Sequence, residues 1–163
     1  MIDITISGNL PVVNSDFTEA FETIADIMFR SVQENFIIGG RPNQWPALKE
    51  FGLAGSVASH LYKSGFMFEN IQLEYDGQHA KVSIDTTRVP YAAIHNFGGT
   101  IDHPEVSGKL MVFNYGGGIV FTYHTKRHDI NIPQRQFMMF QDEDREQILQ
   151  TLSNAIFTET IPS

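Results

Sequence analysis

Apolar and polar residues alternate at the start of the chain. Ile2, Ile4 and Ile6 are interleaved with Asp3, Thr5 and Ser7, and this period of two predicts a strand with one wet face. From Asp16 to about Ile37 the period lengthens. Phe17, Phe21, Ile24, Met28, Val32 and Phe36 recur at spacings of three and four, the stripe of an amphipathic helix. Asp16 with Glu19 predicts a capping-box start, and Gly39-Gly40 predicts the stop. At 1.5 Å per residue such a helix runs about 33 Å, on the order of the diameter of a globule this size, so it is expected to be the spine of the domain.

The loop GGRPNQWP, Gly39 to Pro46, follows and holds the only tryptophan, Trp45. Residues 47 to 63 read as weakly helical, interrupted by Gly52 and Gly55. Alternation then returns in Ile71, Leu73, Tyr75 and in Ala80, Val82, Ile84, with Asp76-Gly77 between them as a hairpin signal. Pro90 suits a first helical turn and Gly98 a C-terminal cap, which predicts a short helix from Tyr91 to Phe97. A second hairpin, LMVFNY and IVFTYH, is expected from Leu110 to His124 around Gly116 to Gly118. Asp142, Glu143 and Asp144 favour a last helix start, and Ile148, Leu149, Leu152 and Ile156 are its expected apolar face.

Together these elements predict one domain over residues 1–163, of the α+β class. Its long N-terminal helix packs on a mostly antiparallel sheet, with short helices and a C-terminal helix. The second hairpin breaks the alternation: Leu110 to Phe113 and Ile119 to Phe121 are apolar in sequence, and a strand apolar on both faces needs cover on both. The long helix is expected to cover one face. The closing helix or a neighbouring subunit would cover the other, since a bare ribbon invites edge-to-edge aggregation.

Composition narrows the function. A net charge of −8 argues against wholesale nucleic-acid binding, which needs Lys and Arg to displace counterions from phosphates. Only Lys126-Arg127-His128 is locally basic, and it reads as a solvated turn. With 42% hydrophobic residues the chain is too apolar for disorder, yet it has no run of about 20 apolar residues to span a membrane. The absence of cysteine removes disulfides, thiolate nucleophiles and Cys-ligated zinc. The start, MIDITISGN, lacks the basic and apolar regions of a secretory signal, so a cytoplasmic chain is expected.

Candidate chemistry is thin. The glycines of GGRPNQWP lack the Lys-Ser/Thr of a phosphate loop and the third spaced glycine of a dinucleotide site. Ser56 and Ser64 stand beside glycines but in no G-x-S-x-G elbow. His124 and His128 have the i, i+4 spacing of a helical metal pair, but Asn131-Ile132-Pro133 and the β-rich residues before them argue for a strand end and loop. His95, Asn96 and His103 supply the residue types of a His-Asn-His nuclease without its ββα frame. His95, between Ile94 and Phe97, reads as a hydrogen-bonded packing histidine. No cofactor, metal ligand or catalytic residue is assigned. The alternative kept open is a metal-dependent nuclease or hydrolase on His95, His103, His124 and His128, and a third possibility is a soluble adaptor.

Several stretches, taken in order, resemble a known family. They are the Gly-Gly-Arg-Pro loop with Trp45 after a long helix, Ser64-Gly65, YAAIHNFGG over Tyr91 to Gly99, and IPQRQF over Ile132 to Phe137 before an acidic helix. This set is similar to the phage virion morphogenesis proteins of Mu-type phages and prophages, also described as tail completion proteins, over most of residues 16 to 157. Tyr91, Ala92, His95, Phe97, Gly98 and Gly99 match one family motif; Ile132, Pro133, Arg135 and Phe137 match another. Gln134 and Gln136 depart from it, standing where the family tends to have Ala and Pro, and SGFMFENI lacks the basic residues usual after that glycine. The resemblance implies a non-enzymatic virion part acting in tail completion or head-tail joining as a ring of identical subunits. Its partners would be itself and the tail and neck or head proteins, with no membrane and no sequence-specific nucleic acid, although DNA passes through the ring. It would be found in the virion, and in the host cytoplasm during assembly. The two motifs, with Leu110 to Tyr123, are the expected subunit interface.

Overall fold

The computed structural model describes residues 1–8, 16–46, 61, 65–115 and 118–159. The weak helix expected over 47 to 63, apart from Leu61, lies outside these residues, as do Ser56, Ser64 and the Gly116-Gly117 turn.

Strand β1 (Ile2–Ser7) pairs antiparallel with β3 (His79–Ile84), whose other edge pairs antiparallel with β2 (Ile71–Tyr75). Register places Ile2, Ile84 and Ile71 in one row across this sheet and Ile4, Val82 and Leu73 in the next. These rows form the apolar face that helix α1 (Thr18–Ile38) covers. The opposite face carries polar rows such as Thr5, Lys81 and Glu74, where the Lys81 ammonium lies 3.1 Å from the Glu74 carboxylate. The hairpin between β2 and β3 is held by Asp76. Its carboxylate accepts the backbone N–H groups of Gln78 and His79, both at 2.8 Å, and these bonds hold its pKa below the ordinary carboxylate value.

All six residues of the predicted stripe pack into the core from α1. Phe21, Ile24, Met28, Val32 and Phe36 are buried and Phe17 is partly so. Each fully buried side chain of this kind contributes roughly 1.5–3 kcal/mol over leaving it in water. The expected capping box does not form. The helix starts later, with Phe17 as N-cap, so Asp16 lies before the cap and accepts from the Thr18 N–H at 3.0 Å and from the Thr18 hydroxyl. The stop is as expected. Gly39, at φ 82°, donates its N–H to the Asn35 carbonyl at 3.1 Å.

Helix α4 (Asp142–Glu159) packs along α1 and buries Ile148, with Leu152 partly covered. Leu149, expected on the same face, is exposed instead, because neighbouring helical residues point about 100° apart and only one can face α1. A polar clasp joins the two helices. Asp144 accepts the Ser31 hydroxyl and, at 2.8 Å, the Gln141 N–H. Arg41, from the loop after α1, donates to Asn35 Oδ1 at 3.0 Å, to the Ser31 carbonyl at 2.9 Å and to Glu34 at 2.6 Å. Its guanidinium lies 3.7 Å from Asp144, and its own carbonyl accepts from the Gln141 amide at 3.2 Å.

The remaining strands form an arm. After the short helices α2 (Phe66–Glu69) and α3 (Ala92–Phe97), β4 (Gly99–His103) pairs with β7 (His128–Ile132), and β5 (Val106–Tyr115) with β6 (Gly118–Thr125). His103↔His128 closes the first ladder and Val106↔Thr125 opens the second, so both run along the same two chain segments. The expectation that α1 covers one face of this hairpin is corrected, and α4 does not wrap it either. The long helix covers the three-stranded sheet, and no described side chain from Gly99 to Ile132 is buried. The strand expected from Ile132 to Phe137 is also corrected, since pairing ends at Ile132. Pro133 has no N–H to give, and Arg135 gives its own to another carbonyl.

Candidate functional site

Where the arm joins the body, the Tyr91 to Gly99 and Ile132 to Phe137 stretches cross. Pro90 precedes Tyr91, the N-cap of α3, and Ala92 donates to the Val89 carbonyl at 3.0 Å. The helix ends at Gly98 with φ 70° and ψ 176°, a conformation found almost only in glycine. Beyond its torsion, Gly98 clears space. A Cβ there would lie 2.9 Å from the Gln134 backbone nitrogen, so the second stretch runs against the glycine's bare backbone.

Four hydrogen bonds, one backbone-to-backbone and three between an asparagine side chain and the backbone, lock this crossing. The Arg135 N–H donates to the His95 carbonyl at 2.8 Å, and the Met138 N–H to the Asn96 side-chain oxygen at 3.0 Å. From α1, the Asn35 amide donates to the Phe137 carbonyl at 2.9 Å and to the Met139 carbonyl at 3.0 Å. Phe137 is fully buried against Phe36, with ring centroids 4.9 Å apart. Trp45 meets the same Phe36 edge-on at 6.2 Å, which joins the Gly-Gly-Arg-Pro loop to this corner. Gly40 is needed there, because a Cβ would come within 2.6 Å of the Trp45 ring. Asn35 went unnoticed in the sequence and Asn96 was noted only as a nuclease residue type, since an Asn on a helix gives no sign of which distant carbonyl or N–H it serves.

The ten motif residues thus divide by exposure. Ala92 and Phe137 belong to the core, Arg135 is 2% exposed, and His95, Gly98, Ile132 and Pro133 are half-buried. Gly99, at the foot of β4, is exposed, as are Tyr91 and Phe97, the latter at 64%. Arg135 donates to the Pro46 carbonyl at 3.3 Å, and its Nε has no hydrogen-bond partner. The His95 ring packs edge-on against Tyr91 at 6.1 Å. Among the described residues its buried Nδ1 has no hydrogen-bond partner, while the backbone carbonyl of His95 accepts from Arg135. Burial pushes the His95 pKa down, and the nearby Arg135 charge lowers it further.

The other histidines lie on the arm. His103 and His128 are cross-strand partners with rings stacked at 4.9 Å. Their Nδ1 atoms face the carbonyls of Pro104 at 3.0 Å and Lys126 at 2.9 Å. His124 Nδ1 is 3.8 Å from Glu105. Lys126, Arg127 and His128 are exposed, as expected of a solvated turn; Arg127 pairs with Asp102 across it, and His128 begins β7. Among the described residues, no three of His, Cys, Asp and Glu come together as a metal site would require. No described helix is long and apolar enough to cross a membrane.

The arm carries a row of exposed apolar side chains, while others such as Ile37, Phe97 and Leu149 stand exposed on the body. Val112 and Phe121 are cross-strand partners, and alternation along β6 puts Ile119 and Tyr123 on their face; Leu110, in the irregular stretch of β5 between Ser107 and Met111, is also exposed, at 48%. Ile101 and Ile130, also partners, are exposed on the first ladder.

Compared with known proteins, residues 6–156 match the profile of the phage virion morphogenesis family. No curated protein and no solved structure matches the chain.

Proposed function

The chain belongs to the phage virion morphogenesis family and so has its role in virion assembly, and from that premise we propose that it is a structural, non-catalytic part acting in tail completion or head-tail joining as a ring of identical subunits. The observation that supports this reading is the arm, an exposed apolar surface on a body that carries the charge. In a ring at the tail end the mechanism is geometric. One face matches the last tail ring and stops further addition, and the other receives the head or neck. Contacts between identical chains close into a ring when the rotation between them permits. A net charge of −8 suits a conduit through which DNA passes without sticking.

The test is deletion of the gene from an inducible phage, followed by electron microscopy of the lysate. Separate heads and tails, or tails of irregular length, restored to whole particles by the gene in trans, are expected. Normal particles from the deletion would overturn the proposal.

A further inference from the structure

The arm is a two-stranded structure, and among the described residues none of its side chains is buried. Isolated two-stranded hairpins are marginal in water, and independent stability takes a third strand or an apolar face packed on something. Among the described residues no further strand pairs with either ladder, and the face of Val112, Ile119, Phe121 and Tyr123, with Leu110 beside it, is exposed to solvent. That face exposes on the order of 500 Å², at the upper end of what monomers show, where a standard interface takes roughly 800 Å² from each partner. With Ile101 and Ile130 also exposed on the first ladder, the arm has the area for one such contact.

Charge selects the occupant. Between Gly99 and Ile132, Lys109, Lys126 and Arg127 cancel Asp102, Glu105 and Asp129, so the whole formal charge of −8 lies outside the arm. Two copies meeting body to body are opposed by like charge; two copies meeting through a neutral arm are not. The arm has no basic excess to attract nucleic acid. We infer that the apolar face of the arm formed by β5 and β6 is covered by a second copy of this chain, and that this contact holds the oligomer together. The inference rests on the self-associating reading above and names its surface.

The experiment uses the full chain and the double variant Val112→Glu, Phe121→Lys. The two positions are cross-strand partners, so the opposite charges keep the ladder paired while removing the apolar centre of the face. Sedimentation over about 1 to 200 μM should show the wild type gaining mass with concentration and the variant staying monomeric, an affinity loss of at least ~100-fold. Amide exchange over residues 106–125 should be slowed in the wild-type oligomer and fast in the variant, with the body unchanged in both. A variant that associates like the wild type would overturn the inference and leave the ring standing. A wild type that stays monomeric throughout, its arm protected only inside assembled particles, would overturn it by assigning the face to another virion protein. A monomeric variant that still completes particles would uphold the contact and overturn the ring.

Discussion

Gly98 and Gly108 have nearly the same backbone torsion, φ 70° and φ 76°, in opposite surroundings. A Cβ at Gly98 meets the Gln134 backbone at 2.9 Å, and a Cβ at Gly108 meets nothing within 4 Å. For Gly98→Ala the conformation alone costs roughly 1–3 kcal/mol. Moving Gln134 aside also strains the adjoining Arg135-to-His95 bond, worth about 1 kcal/mol. The expected loss is about 2–4 kcal/mol, which for a chain of this length lowers Tm by roughly 5–15 °C. Gly108→Ala bears only the torsional strain, within the arm, and should leave the melting of the body in place. Circular dichroism melts of both variants, with urea titrations to supply free energies, make the comparison. A Gly98→Ala chain within about 0.5 kcal/mol of wild type, or a Gly108→Ala chain equally destabilised, would refute the idea that the crossing of the two stretches holds this corner together.

Arg41→Ala should cost about 3 kcal/mol, because it strands the buried Asp144, Ser31 and Asn35 groups, as urea denaturation will show. Arg41→Lys should recover only part of this, lacking the fork that reaches Asn35 and Ser31 together. His95 titrates lower in the folded chain than its ordinary value of 6.5. Its contribution to stability is therefore complete above that value and lost as pH falls from it through the folded pKa, because the unfolded chain takes up the proton first. His95→Gln should flatten the dependence of Tm on pH in that window, and an unchanged slope would remove His95 as its source.

Elements fixed by neighbours in sequence were legible. The stripe from Phe17 to Phe36, the Asp76 hairpin and the Gly98 stop each depend on residues a few positions apart, and each formed. What failed depends on distance. Pairing Gly99 with Ile132 means closing a long loop, and neither strand is apolar enough to signal it. Leu149 failed because a moment along a helix does not say which of two adjacent apolar residues will find α1. The consecutive apolar residues of β5 and β6 signalled a demand for cover on both faces, but not that the body would decline to supply it. At the candidate site, the need of Gly98 for positive φ was readable; that the Gln134 backbone lies against it was not, since the two meet only after the arm has gone out and returned.

The lone indole of the chain, Trp45, is set edge-on against Phe36 in the body, and the arm has none. Tryptophan emission, excited where tyrosine does not absorb, therefore watches the body of this molecule and is blind to the arm. An arm that frays while the body holds would pass unseen in emission and surface only in backbone-sensitive spectra, so agreement between the two signals is itself a measure of whether the protein melts as one piece.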